Sequence, residues 1–453
     1  MVAFEAGTRV HFVGIGGISM SALAELLAAR GCHISGSDRQ ASPLTQRLEQ
    51  LGVSIHIGEA ASLVNGADCV VYTSATDSEN PERRAALKNG IPLLRRAELL
   101  GQLTHSHSTI CVAGTHGKTT TTAMTASVLI AAGQDPTALV GGVVQELEAT
   151  LRIGKGSHWV VEADEYDRTF LALQPEIAVV TTLEADHLDC YKDLDDIRAT
   201  FEQFVNKVPD GGCAVLCADG QEIKTLKLDN RFEKITYGLT DGDLRARNLK
   251  QDGFDNAFDV FDNDAQLGHV RLKVPGNHNV ANALAAVGVG KYLGLGWADV
   301  RAGIEAFRGV HRRFDVLGEK QGIMIVDDYA HHPTEIEVTL QAARAGWSGR
   351  IVAAFQPHLY SRTLDFADDF AKALQRADRV WLTDVYPARE EPIAGVDGML
   401  IANKISGANY APTLDELKAS LVSDLRAGDL LVSMGAGDIE SVAYEVYHML
   451  GDA

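Results

Sequence analysis

The stretch Val112-Ala113-Gly114-Thr115-His116-Gly117-Lys118-Thr119-Thr120 decides the fold. An apolar run over 109–113 meets two glycines spaced three apart, and an Ala/Thr/Met-rich helical pattern follows from Lys118 to about Ala132. A strand that turns on glycine into a helix aims backbone N–H groups and the positive helix end at one point, where phosphate oxygens can be held. Lys118 would neutralise the β- and γ-phosphates and the Thr119 hydroxyl would ligate Mg2+. The general phosphate-loop pattern has a glycine five residues before Gly117, where this chain has Val112; it carries the shorter form G-T-x-G-K-T.

Working outward, the same alternation of short apolar runs and helical patterns recurs on both sides. Upstream, strands are expected over 10–13, 33–35 and 70–73, with a helix over 18–30. Downstream, strands are expected over 159–161, 177–180 and 214–216. Between 234 and 274 the pattern becomes short, alternating and punctuated by Asp, Asn and Gly, which predicts an antiparallel appendage. A third run follows residue 309, with strands over 323–326, 351–354, 380–382 and 430–433 and a closing helix to Leu450. Strands alternating with helices imply parallel sheets, so the class is α/β. The polar stretch 105–108 and the basic pair Arg312-Arg313 mark boundaries, giving domains at 1–105, 106–312 and 313–453. A chain of 453 residues suits three domains of ordinary size.

Composition narrows the partners. Apolar residues make up 46% and charged residues 23%, and the net charge of −20 opposes binding to nucleic acid in the absence of a basic patch. Any phosphate must therefore be held locally. Six scattered cysteines make neither a disulfide scaffold nor a zinc site and read as buried thiols. Glu5 stands where a signal peptide wants basic residues, and no apolar run reaches the length of a membrane span, so a cytoplasmic protein is expected.

Other clusters fall at strand ends, where open α/β sheets place their ligands. Glu162-Ala163-Asp164-Glu165 and Glu184-Ala185-Asp186-His187 offer oxygen and imidazole ligands suited to the Mg2+ that accompanies a nucleoside triphosphate. Asn277-His278-Asn279, with Asn282 one helical turn on, can read an adenine edge or cap a helix. Gly14-Ile15-Gly16-Gly17, with Asp38 about 20 residues further on, fits a pyrophosphate cradle, and Ser37 and Ser74 flank it at strand ends. Ser19 stands at the third glycine of the dinucleotide pattern, and the cradle suits NAD or a UDP-sugar equally. In the last third, Asp327-Asp328-Tyr329-Ala330-His331-His332-Pro333 and Gln356-Pro357-His358-Leu359-Tyr360-Ser361-Arg362 should line a strand-end cleft that orients substrate and stabilises charge.

With these residues in hand, the chain resembles the Mur ligase family over its whole length. The resemblance rests on G-T-H-G-K-T-T at Gly114, E-A-D-E at Glu162, E-A-D-H at Glu184, H-N-x-x-N at His278, D-D-Y-A-H-H-P-T-E at Asp327 and the G-I-G-G start at Gly14, in that family's order and spacing. The resemblance implies a Rossmann-like N-terminal domain for the UDP portion, a central P-loop ATPase-type domain and a Rossmann-like C-terminal domain that brings the amino acid. The G-I-G-G start and the 386–395 stretch point to the branch that joins L-alanine to UDP-N-acetylmuramate with ATP and Mg2+ in peptidoglycan precursor synthesis. Attachment of a whole tripeptide to the same UDP-sugar is the alternative within this chemistry, and an NAD(P)-dependent dehydrogenase is the alternative outside it.

Carried over residue by residue, Gly114, Thr115, His116, Gly117, Lys118, Thr119 and Thr120 would hold the phosphates. Thr119 and Glu162 would bind one Mg2+ and His187 a second, and His278, Asn279 and Asn282 would contact adenine. Arg313 and Asp328 would bring the third domain to the nucleotide, and His331 and Arg362 would face the carboxylate and the amine. Gly14, Gly16, Gly17, Ser37, Asp38 and Ser74 would meet the UDP-sugar. A monomer or homodimer is expected. Three departures stand out: Leu359 replaces an arginine common in the family, no lysine lies in register near Glu202 for a carbamylated metal ligand, and Ile18-Ser19 replace small residues.

Overall fold

Three sheets carry the chain in a computed structural model that describes residues 2–186, 190–388 and 390–451. Contacts divide it into two compact units, residues 1–245 with 283–303, and residues 246–282 with 304–453.

The first unit opens with five parallel strands: β1 (Arg9–Val13), β2 (His33–Asp38), β3 (Ser54–Ile57), β4 (Cys69–Tyr72) and β5 (Leu93–Arg95). Their order, β3-β2-β1-β4-β5, reverses between β1 and β4, which opens a crevice at the C-terminal ends of those two strands. The helix Ile18–Ala29 starts directly from the glycine turn after β1, and its Met20, Leu23, Leu26 and Leu27 are buried.

The second sheet is built on β6 (Ser108–Ala113), flanked by β9 (His158–Glu162) and β10 (Ile177–Val180). Beyond β9 lie β7 (Thr137–Val144) and β8 (Ala149–Arg152), an antiparallel pair; beyond β10 lie β11 (Cys213–Cys217) and β12 (Glu233–Gly238), both parallel. Ile110, Cys111, Val112 and Ala113 of β6 are fully buried, as a central strand covered on both faces must be. The expected antiparallel appendage is smaller than the sequence pattern suggested. β12 is parallel to β11, and β13 (Leu244–Asp252) begins parallel to β12. Alternating polarity marks a half-exposed strand in either direction, so it could not separate the two.

The second unit contains the antiparallel hairpin β14 (Asp255–Asp262) and β15 (Ala265–Leu272). Phe254, just before it, meets Phe314 edge-on with ring centroids 5.1 Å apart, and the Gln251 amide donates to the Ala342 carbonyl at 3.1 Å. The hairpin therefore packs in the same unit as the last sheet. That sheet has the order β16-β17-β21-β18-β19-β20 over β16 (Asp315–Lys320), β17 (Ile323–Asp328), β18 (Ile351–Phe355), β19 (Arg379–Leu382), β20 (Asn409–Tyr410) and β21 (Leu430–Met434). All its pairs are parallel except β16 with β17. No helix among the described residues is long and apolar enough to cross a membrane.

Candidate active site

The turn after β6 has the conformation its glycines permit. Gly114 and Gly117 have φ of +140° and +81°, and a Cβ on Gly114 would stand 2.0 Å from the Thr181 hydroxyl. Gly117 precedes the helix Lys118–Ala131, so the free N–H groups of its first turn face the loop. The loop is fastened from β10's end. Thr115 N–H donates to the Thr182 carbonyl at 3.0 Å, His116 N–H to the Thr182 hydroxyl at 2.8 Å, and Glu184 N–H to the Thr115 hydroxyl at 2.9 Å. Thr120 is buried in the first helical turn.

Lys118 folds back over this loop. Its ammonium donates to the carbonyls of Gly114 and Thr115 at 2.7 and 3.2 Å, and lies 2.8 Å from the Glu165 carboxylate. Burial works against its charge, but the Glu165, Asp164 and Glu162 carboxylates outweigh it and hold its pKa above the ordinary value. Beside it, the Thr119 hydroxyl donates to Glu162 Oε1 at 3.0 Å, and Gly141 N–H fixes Oε2 at 2.7 Å. A hydroxyl and a carboxylate side by side are hard oxygen donors that fit Mg2+. His187, the expected second metal ligand, lies outside the described residues.

Sequence reasoning missed Arg96. It opens the helix Arg96–Thr104, lies 3.8 Å from Asp164, and lines a small cavity with Glu162 and Asp164. Arg95 donates to Asp167 at 3.4 Å. Asp167 and Arg168 both hold left-handed backbone, with φ of +51° and +54°. An arginine pair at a strand-to-helix junction was the available signal.

The crevice between β1 and β4 is a cavity of about 320 Å³, lined by Gly14, Gly16, Gly17, Ser37 and Asp38. Asp38 accepts from Gly16 N–H at 2.8 Å and so shapes the cradle as well as facing it. Ser74 is exposed and off the wall; Thr73, Thr76 and Arg39 take its place. Behind Ser37 sits a buried polar hub that the sequence did not announce. Glu82, wholly buried, receives the Ser37 hydroxyl at 2.7 Å, His11 Nε2 at 2.9 Å and Ala60 N–H at 3.1 Å. Burial raises and these partners lower the Glu82 pKa, with a net shift downward.

In the second unit Asn279 and Asn282 are joined. The Asn282 amide donates to Asn279 Oδ1 at 3.1 Å, and the Asn279 amide donates to the Pro275 carbonyl at 2.7 Å; His278 next to them is exposed. Asp328, at the end of β17, is enclosed rather than presented: it accepts from Phe314 N–H at 2.8 Å and Ala330 N–H at 2.7 Å. Burial pushes its pKa up to about 6. Arg313 lies over the Tyr329 ring and 3.8 Å from Glu335. His331 Nδ1 meets the Tyr329 carbonyl at 2.9 Å, which assigns the proton to Nδ1 and leaves Nε2 as the acceptor. Burial pushes its pKa down to about 4, so the imidazole is neutral near pH 7. The His331 and His358 rings lie 5.8 Å apart, and Arg362 is buried in the helix Tyr360–Asp365 that follows Leu359.

Similarity to known proteins covers nearly the whole chain. Residues 9–108 match the Mur ligase family catalytic domain, 112–290 the Mur ligase middle domain, and 312–437 the Mur ligase glutamate ligase domain. The UDP-N-acetylmuramate--L-alanine ligase of Salinibacter ruber is 48% identical over 95% of this chain and 92% of its own. That of Geotalea daltonii is 44% identical over 98% of both. Among solved structures, the UDP-N-acetylmuramate-alanine ligase of Thermotoga maritima superposes with a TM-score of 0.84 at 31% identity, covering 97% of this chain and 98% of that one. A murein peptide ligase from Psychrobacter arcticus gives 0.73 at 28% identity over 99% of both.

Proposed function

Since the chain belongs to the Mur ligase family, we propose that it joins L-alanine to the lactyl carboxylate of UDP-N-acetylmuramate, converting ATP to ADP and phosphate. The observation that carries this reading is the cluster of Lys118, Thr119 and Glu162 at the glycine turn after β6. The names of the curated relatives favour L-alanine over a tripeptide. A nicotinamide dehydrogenase would leave that cluster without a task.

The carboxylate attacks the γ-phosphorus, and two anions must approach each other. Lys118 at the phosphates and Arg96 on the side nearer the first sheet would reduce that repulsion. Thr119 and Glu162 would hold one Mg2+ and, by family resemblance, His187 a second, and these ions would neutralise charge on the phosphates. The products of this step are ADP and an acyl phosphate. The alanine amine then attacks the acyl carbon, phosphate leaves, and the amine's surplus proton passes to a base. Neutral His331 has an available Nε2 lone pair for that purpose, and Arg362 would hold the alanine carboxylate. His278, Asn279 and Asn282 would meet adenine, and Arg313 and Asp328 would serve as positioning groups. One substrate for each of residues 1–105, 106–312 and 313–453 is the division we favour, and UDP-sugar and ATP as substrates place the reaction in the cytoplasm.

The test is the ATP-dependent mass gain of UDP-N-acetylmuramate offered L-alanine or a tripeptide in parallel. Gain of one alanyl residue is expected, and preference for the tripeptide sinks the substrate assignment. Lys118→Ala should lower kcat by on the order of a hundredfold or more.

A further inference from the structure

Lys118 has three N–H donors and three acceptors already in place: the Gly114 carbonyl, the Thr115 carbonyl and the Glu165 carboxylate. Its ammonium is therefore folded into the loop that phosphates would enter. Two of the acceptors belong to that loop. The third comes from the segment after β9, where both carboxylate oxygens of Glu165 lie 2.8 Å from Nζ, with the glutamate side chain 3% and the lysine side chain 14% exposed. The Glu165 backbone is fastened too, since the Tyr191 hydroxyl donates to its carbonyl. The segment that carries the carboxylate is therefore held in place when the lysine moves.

We propose that Glu165 is an internal competitor for Lys118, holding the ammonium until nucleotide enters the loop and drawing it back after phosphoryl transfer so that ADP is released. This rests on the reading of Lys118 as the phosphate-binding lysine. Separating a buried ion pair costs free energy, which favours return of the lysine. ATP has the charge to displace the carboxylate. ADP, once the γ-phosphoryl group has gone, pulls less strongly, and the equilibrium shifts toward the glutamate. Glu165 is thus a positioning residue that sets nucleotide turnover.

The experiment measures binding of ATP, ADP and AMP to the intact chain by calorimetry, without UDP-sugar, for the native protein, Glu165→Gln, Lys118→Ala and the double variant. Glu165→Gln should bind ATP and ADP at least fivefold more tightly and AMP unchanged, because AMP does not reach Lys118. In steady state KM for ATP and kcat should fall together, with ADP a stronger product inhibitor. The gain should vanish in the Lys118→Ala background. Unchanged or weaker ADP binding in Glu165→Gln overturns the proposal, and so does a gain that persists without Lys118, which would be plain charge repulsion. If Glu165→Gln does not fold, Glu165→Asp, which retracts the carboxylate by one methylene, should tighten ADP at least twofold; equal affinity overturns the proposal. Full ATP affinity in Lys118→Ala would instead overturn the underlying reading of Lys118.

Discussion

Asp327 is closed off from solvent with Arg312 beside it. Its side chain is fully buried at the end of β17, Arg312 Nε donates to Oδ2 at 3.2 Å, and Oδ1 has no hydrogen-bond partner among the described residues. Burial, with Asp328 and Glu440 adding to it and Arg312 opposing it, pushes the pKa up to about 7 from an ordinary 3.8. Between those values the folded state retains a proton that the unfolded chain has lost. The associated stability is complete below about pH 4 and is lost as pH rises toward 7. Asp327→Asn, which resembles the protonated acid at every pH, should therefore gain on the native protein progressively from pH 4.5 to 7.5 in denaturant unfolding. Parallel curves would show that Asp327 is ionised throughout.

At the scale of elements, what was legible in the sequence was whatever local pattern dictates. Gly114 and Gly117 before Lys118 announced the turn, and the apolar runs marked β1, β6, β10 and β17 to within two residues. Strand direction in the edge pairs was not legible, because β7–β8 and β16–β17 are set by partners distant in sequence or by turns without an Asn-Gly signature. The Glu82 hub was hidden for the same reason. His11, Ser37 and Glu82 lie 26 to 71 residues apart, and only the pairing of β1 with β2 and the helix Pro81–Lys88 brings them together. This hub ties the helix Pro81–Lys88 and the turn after β3 to the wall of the 320 Å³ cavity, through Ser37. Glu82→Ala, leaving His11 and Ser37 without their acceptor, should cost about 3–5 kcal/mol of stability. KM for the UDP-sugar should rise while KM for ATP stays the same. A loss of stability with both KM values unchanged would confine the hub to folding.

The three sheets share one layout, with the candidate residues lying where strands end and helices begin: Gly14 after β1 and Asp38 at the end of β2, Lys118 after β6 and Glu162 at the end of β9, Asp328 at the end of β17 and His331 after it. Cys32, Cys69, Cys111, Cys213 and Cys217 are all buried, and burial pushes each of these thiols up, to about 12 for Cys69 and Cys213. A thiol held in its protonated form reacts slowly with electrophiles. Cys190 alone of the six is partly exposed, immediately before the tyrosine whose hydroxyl fastens Glu165. The native chain thus has one partly exposed thiol, next in sequence to Tyr191. A maleimide fluorophore should attach there once per chain, and its emission should change on adding ADP, giving an optical record of nucleotide arrival and departure without any engineered cysteine.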